Sequence, residues 1–183
     1  KYCDYIKYIK LPKNISKTKI GFFLGSSIGN FYNKKERKFL KNAKKTLGKN
    51  SFLFVGVDLI KNIKILKKAY NDKGNFSARF NLNLINIMNK KVKTKLKTSD
   101  FKYIATFNKK RSCMENFIVS KKYQKFLINK KQFYFKKGEK IQTEISNKFT
   151  ISKFSKLAKS SGWHVKKYWK DAKRYYSVFL LQA

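Results

Sequence analysis

Gly25-Ser26-Ser27-Ile28-Gly29-Asn30 follows directly on the apolar run Ile20-Gly21-Phe22-Phe23-Leu24. Open α/β sheets hold their ligands where an apolar strand ends in a Gly/Ser turn and then meets a helix. The two glycines let backbone come close to a bound molecule, and the turn ends in an amide side chain, Asn30. The stretch therefore predicts an α/β fold in which residues 19–24 form a buried strand with a small-molecule site at its carboxyl end.

Working outward, strand and helix patterns alternate. Residues 33–47 carry Phe39, Leu40, Ala43 and Leu47 on one stripe with Gly48 as a stop, which predicts a helix. Residues 51–57 read as a second buried strand, ended by Asp58, which is expected to cap the next turn. A helix over 62–70 places Ile63, Leu66, Ala69 and Tyr70 on one side. Ser77 can cap another, with Phe80, Leu84, Ile87 and Met88 at helical spacing. The pattern then shortens, and 101–107, 114–120, 122–128 and 140–146 read as short, mostly antiparallel strands. A helix over 150–161, stopped by Gly162, precedes two closing strands at 163–169 and 176–181.

This order predicts βαβ units and a mainly parallel, Rossmann-like sheet finished by an antiparallel hairpin. Three segments follow: 1–88 as part of the core, 89–148 as a β-rich substrate-binding insertion, and 149–183 returning to the core.

Composition narrows the function. Forty-six Lys+Arg against nine Asp+Glu give a net charge of +37, which first suggests a polyanion-binding module. Only Arg37, Arg79, Arg111 and Arg174 are arginines. Surfaces that read phosphates or bases recruit the planar, bidentate guanidinium. Lysine rises here together with Asn, Ile, Phe and Tyr, as an AT-rich coding sequence would produce, so the charge reads as a solvated face. No specific nucleic-acid partner is expected. Cys3 and Cys113 are isolated thiols without metal-ligand spacing, which suggests a reducing cytoplasm and neither zinc nor a disulfide framework. No stretch reaches the roughly 18 apolar residues of a membrane span, and no membrane partner is expected. His164 is the only histidine and falls in a closing strand, where it reads as structural.

Six short stretches carry a resemblance: Phe23-Leu24-Gly25-Ser26-Ser27-Ile28-Gly29-Asn30, Gly56-Val57-Asp58-Leu59-Ile60-Lys61, Ala69-Tyr70-Asn71-Asp72, Phe80-Asn81-Leu82-Asn83, Thr143-Glu144-Ile145-Ser146 and Ser177-Val178-Phe179-Leu180-Leu181. Together and in this order they resemble the histidine-specific Nα-methyltransferases that use S-adenosylmethionine and make trimethylhistidine for ergothioneine biosynthesis. The resemblance implies a Rossmann-like methyltransferase sheet with a β-rich insertion, S-adenosyl-L-methionine as cofactor, L-histidine as substrate, and a monomer when full-length. It covers the later part of the family's domain. The glycine-rich first strand-turn and the acidic residue for the cofactor ribose are expected before Lys1, which makes this chain a C-terminal portion. Without that neighbouring strand, the strand at 19–24 is expected to carry an open, aggregation-prone edge.

The resemblance also assigns roles. Asn30 holds the substrate's α-carboxylate, although Asn before a helix commonly serves as a cap. Gly25 and Ser27 meet the amine end. Tyr70 donates its hydroxyl to the same carboxylate, whereas by itself it reads as a packed aromatic. Glu144 and Ser146, two apart on one strand and so on one side, each take one imidazole nitrogen. Asn116 stands where relatives carry a substrate-contacting Met, a departure that bears on the exact ring bound. Asp4 and Tyr5 meet the cofactor's adenine. No residue is assigned acid–base catalysis, because the reaction is one of positioning. The rival readings are an N-methyltransferase of another amino acid, such as a tryptophan derivative, the polyanion-binding module, and an inactive remnant.

Overall fold

A computed structural model describes residues 4–12 and 17–183. In chain order its elements are β1 (Ile20–Phe23), a 3-10 turn at Ser27–Asn30, α1 (Lys35–Leu47), β2 (Phe52–Asp58), α2 (Ile63–Tyr70), α3 (Phe76–Val92), β3 (Phe101–Asn108), β4 (Cys113–Ser120), β5 (Gln124–Ile128), β6 (Lys131–Phe135), β7 (Lys140–Asn147), α4 (Ile151–Ser160), β8 (His164–Lys170) and β9 (Tyr176–Gln182). They form two compact units. One comprises Lys1–Lys61 with Ser146–Ala183, and the other comprises Asn62–Ile145. The units divide at 61/62 and 145/146, and α2 and α3 fall in the same unit as the β-rich segment.

The first unit is built on a four-stranded sheet in the order β1-β2-β9-β8. β1 and β2 run parallel, with Ile20 opposite Phe52 and Phe23 opposite Val55. β9 pairs antiparallel with both β2 and β8. The expected closing hairpin is present, but its second strand inserts beside β2, so the sheet is mixed rather than mainly parallel.

Helices α1 and α4 supply Phe39, Leu40, Phe154 and Ala158 to a core completed by Leu53, Val55, Val57, Phe179 and Leu181. Trp163 is buried there, and its indole N–H donates to the Leu40 carbonyl at 2.9 Å, which removes the cost of burying that donor. β1 departs from the expected buried strand. It lies at an edge of the sheet, and Ile20 and Phe22 on alternate positions are exposed. α1 starts at Lys35, after Asn33 and Lys34 in left-handed conformations, and ends at Gly48 with φ +86°.

In the second unit the sheet order is β3-β4-β7, and β5 and β6 form a separate hairpin. The sequence pattern missed β6, whose residues alternate weakly and lie mostly exposed. Ile85, Leu96, Phe101, Ile118 and Phe135 form one core cluster, and Leu66, Ala105 and Met114 another.

α3 corrects two expectations. Its first N–H groups, those of Phe76 and Ser77, donate to the Asp72 carboxylate at 2.7 and 3.0 Å, so Ser77 lies inside the helix rather than capping it. Its buried residues are Asn81 and Ile85, while Phe80, Leu84 and Ile87 are exposed. Apolar residues surround most of this helix, so periodicity could not select the inward face.

Candidate functional site

In the second unit, α2 ends on Tyr70, α3 presents Phe76, Ser77, Phe80 and Asn81, β4 supplies Asn116 and β7 supplies Glu144. These seven residues line one open cavity of about 280 Å³. Three of the expected substrate residues, Tyr70, Asn116 and Glu144, are thus brought together.

Hydrogen bonds fix the cavity's polar wall. Tyr103 donates its hydroxyl to Asn116 Oδ1 at 3.0 Å, and Asn116 Nδ2 donates to Glu144 Oε2 at 3.0 Å. The Asn116 amide is buried, so both its ends need partners, and it holds the carboxylate in one orientation. Thr143 donates to Asn81 Oδ1, and Asn81 Nδ2 donates to the Ser77 carbonyl at 2.9 Å, which ties α3 to β7. Burial raises the Tyr103 hydroxyl pKa well above its ordinary value, with the charges of Glu144, Tyr70 and Asp72 adding to the rise. A neutral Tyr103 is therefore a dependable donor at the head of the chain that ends on Glu144. Asn116 contacts this carboxylate through its amide, where the resemblance implies a thioether packed on the ring.

The first unit carries the remaining expected residues. The turn after β1 enters through Leu24, whose carbonyl accepts from the Tyr176 hydroxyl. Burial, and then the charge of Asp58, raises the Tyr176 pKa. Gly56 makes this approach possible, because a Cβ there would collide with the Tyr176 hydroxyl and the Leu24 carbonyl. Ser26 takes the left-handed conformation at φ 56° that a glycine would favour, and its Oγ accepts from the Asp58 N–H at 2.9 Å. Gly25 and Asn30 are exposed and Ser27 is half-buried. Asn30 closes the 3-10 turn and does not cap α1, whose cap position is Lys34. Asn147 Nδ2 donates to the carbonyls of Gly29 and Phe31 at 2.9 and 3.3 Å, clamping the turn.

Ser146, just before that clamp, is buried and accepts from Lys148 Nζ at 2.7 Å. Lys148 Nζ also lies 2.7 Å from Asp58 Oδ2, and Lys61 Nζ lies 2.5 Å from Asp58 Oδ1. Asp58 therefore binds two ammonium groups rather than capping a turn. Nothing in the sequence singled out Lys148, one lysine in a lysine-rich chain.

At the start of the unit, Asp4 Oδ1 accepts from the Ile6 N–H at 3.0 Å. The half-exposed Tyr5 ring lies 5.6, 6.3 and 6.2 Å from the rings of Phe23, Phe31 and Phe39. His164 is exposed at the start of β8 and Cys113 is buried. Cys3 falls outside the described residues. Among the described residues no cluster of three His, Cys, Asp or Glu could hold a metal, and no helix is long and apolar enough to cross a membrane.

The family model for histidine-specific, S-adenosylmethionine-dependent methyltransferases matches residues 1–183, the whole chain. The chain belongs to this family. Three relatives bear on it. It is 27% identical over 151 residues to a histidine N-alpha-methyltransferase of Mycobacterium tuberculosis, covering 81% of this chain and 47% of that protein. It is 40% identical over 82 residues to the ergothioneine biosynthesis protein 1 of Neurospora crassa, covering 45% and 9%. It is 25% identical over 165 residues to the N-methyltransferase imqF of Aspergillus flavus, covering 88% and 45%. The chain spans about half the length of the mycobacterial relative it matches. Family membership assigns the chain to the S-adenosylmethionine-dependent methyltransferases, and its own structure is α/β with a mixed sheet in the first unit.

Proposed function

We propose that this chain serves S-adenosylmethionine-dependent methylation of the α-amino group of L-histidine. The observation that carries the reading is the cavity in the second unit, where Tyr70, Asn116 and Glu144 line one space and Asn116 orients the carboxylate. A fixed carboxylate accepts a ring N–H, and a nearby phenol donates to an amino-acid carboxylate.

Roles follow unit by unit. In the second unit Glu144 takes one imidazole nitrogen and Tyr70 the α-carboxylate. In the first unit Asn30 suits an α-carboxylate, Gly25 and Ser27 an amine end, and Ser146 an imidazole nitrogen. Asp4 and Tyr5 suit the adenine end of the cofactor, since a carboxylate oxygen accepts from an exocyclic amine and an exposed ring covers a purine edge. The cofactor supplies the methyl group on a sulfonium. The residues here bind and aim. The attacking amine must be neutral; peptide α-amino groups titrate at about 8, so its proton can be lost without a strong base. Holding the amine in a near-attack geometry can contribute about 7–11 kcal/mol to lowering the barrier.

A second reading, methylation of an amino acid with a different ring, draws on Asn116, which makes that wall of the cavity more polar than a thioether would. Titration calorimetry tests the first. Glu144→Ala is expected to weaken histidine binding roughly tenfold or more, because the ring N–H loses its partner, while S-adenosylhomocysteine binding holds. Equal loss of both ligands, or tryptophan binding more tightly than histidine to the unsubstituted chain, refutes the assignment.

A further inference from the structure

The mechanism above makes no use of Lys148, yet among the described residues this is the most deeply buried charge in the first unit. Its side chain is 1% exposed. A lysine is almost never this buried without a partner, and here the partners are specific: Asp58 Oδ2 and Ser146 Oγ, each 2.7 Å from the ammonium. Asp58 is itself fixed, through Lys61 on its other oxygen and through its backbone N–H on Ser26 Oγ. One network therefore joins the end of β2, the turn after β1, and Ser146.

We propose that Lys148 is a positioning residue that makes the Ser146 hydroxyl a hydrogen-bond donor toward the bound amino acid's ring. An ammonium has three donors and no acceptor, whereas a hydroxyl has one proton and two lone pairs. Contact with Lys148 occupies a lone pair of Ser146 and turns its proton elsewhere. Without the ammonium, Ser146 could serve a ligand as donor or acceptor. With it, one lone pair is taken and the proton points away from the ammonium, which favours the hydroxyl as a donor. Asp58 supplies the counter-charge that lets the ammonium remain buried.

The inference rests on the proposed function and deepens it. A hydroxyl directed to donate suits a ring that carries a bare nitrogen, as neutral imidazole does. Indole and imidazolium both lack the bare nitrogen and leave the Ser146 proton unmatched.

The test is calorimetry on the whole chain with L-histidine and, separately, S-adenosylhomocysteine, for the unsubstituted protein, Lys148→Met, Ser146→Ala and the double variant. Lys148→Met is expected to weaken histidine binding roughly tenfold and leave S-adenosylhomocysteine binding unchanged. Ser146→Ala should do the same, and the double variant should be no weaker than either single one, because both remove the same directed bond. Histidine binding unchanged in Lys148→Met, or additive losses in the double variant, overturns the proposal while leaving the functional reading standing. No histidine binding by the unsubstituted chain overturns both.

If Lys148→Met fails to fold, Asp58→Asn/Lys148→Met, which removes both charges, carries the same comparison. A nitrogen NMR signal from the Lys148 ammonium gives a readout without ligand. It should move on Ser146→Ala, and an unmoved signal also overturns the proposal.

Discussion

Asp58→Ala removes the carboxylate shared by two ammonium groups, and their burial separates the two costs. Lys61 Nζ is 2.5 Å from Asp58 Oδ1 and also lies 5.0 Å from the Tyr175 ring centroid. At 12% exposure, and with the Tyr175 ring beside it, Lys61 still reaches water, so losing this partner costs roughly 1 kcal/mol, the upper end for exposed pairs. Lys148 is different, since at 1% exposure its ammonium cannot be rehydrated without opening the fold. Removing one partner of a buried pair costs about 3–5 kcal/mol. Asp58 is 21% exposed, so water already reaches one end of this pair and the lower end of that range applies.

The sum is about 4 kcal/mol. For a chain of 183 residues that converts, at roughly 2–4 °C per kcal/mol, to about 8–16 °C in the melting midpoint. Trp163, buried in the core of the first unit, reports the transition by fluorescence. Asp58→Ala/Lys148→Met should regain most of the loss, because exchanging a buried ion pair for apolar groups is often neutral. A loss under about 1 kcal/mol, the range of surface pairs, would show that Lys148 reaches water after all and would refute the reasoning. So would a double variant less stable than the single one.

Two further outcomes are expected. Gly29→Ala places a Cβ 2.8 Å from the Asn147 carbonyl oxygen and 3.4 Å from its nitrogen, both rigid backbone atoms. It should cost about 1–3 kcal/mol by urea unfolding, and a neutral result would mean the turn is not clamped on residue 147. Asp72 is held below its ordinary carboxyl pKa of 3.8 by the N–H groups of Ser77 and Phe76. A lowered folded-state pKa contributes stability above the unfolded value, and that stability is lost as pH falls through the lowered value. Asp72→Ala should therefore speed amide exchange at Phe76 and Ser77 near neutrality, and the difference from the unsubstituted chain should vanish in strong acid. A difference that does not change with pH would remove the carboxylate from the cap.

Most of the fold was legible because burial wrote it into local patterns. Phe39, Leu40, Ala43 and Leu47 recur at helical spacing and line the sheet side of α1, and Gly48 stops it at φ +86°. The helix expected over 150–161 is present as α4, and Thr150 at its start accepts from the Lys153 N–H. Sheet direction was not legible. Ser177-Val178-Phe179-Leu180-Leu181 reads as an apolar strand whichever neighbour it takes, and nothing local says that β9 lies between β2 and β8. The inward face of α3 was also hidden. Asn81 is buried because Thr143, 62 residues away, donates to it, and no helical period encodes a polar residue's distant partner.

The same limit explains the site. Tyr70, Asn116 and Glu144 could be named from motifs, but a motif gives positions and not bonds. The line from Tyr103 through Asn116 to Glu144 joins three strands, and Tyr103 carries no motif at all. Lys148 was harder still, because charge is informative only against its background. An acidic residue in a chain with nine of them draws notice, and a lysine in a chain with 46 basic residues draws none. What distinguishes Lys148 is burial, a property of the folded chain. The basic surface that first suggested a polyanion partner therefore conceals, among the described residues, one lysine whose charge the fold shields almost completely from water, and the neutral partner of that charge is a hydroxyl expected to touch the ligand. If the ammonium sets the direction of that hydroxyl, the positive charge that matters to ligand recognition in this protein is the least visible one, and substitutions across the exposed lysines should leave histidine affinity untouched while a single change at Lys148 does not.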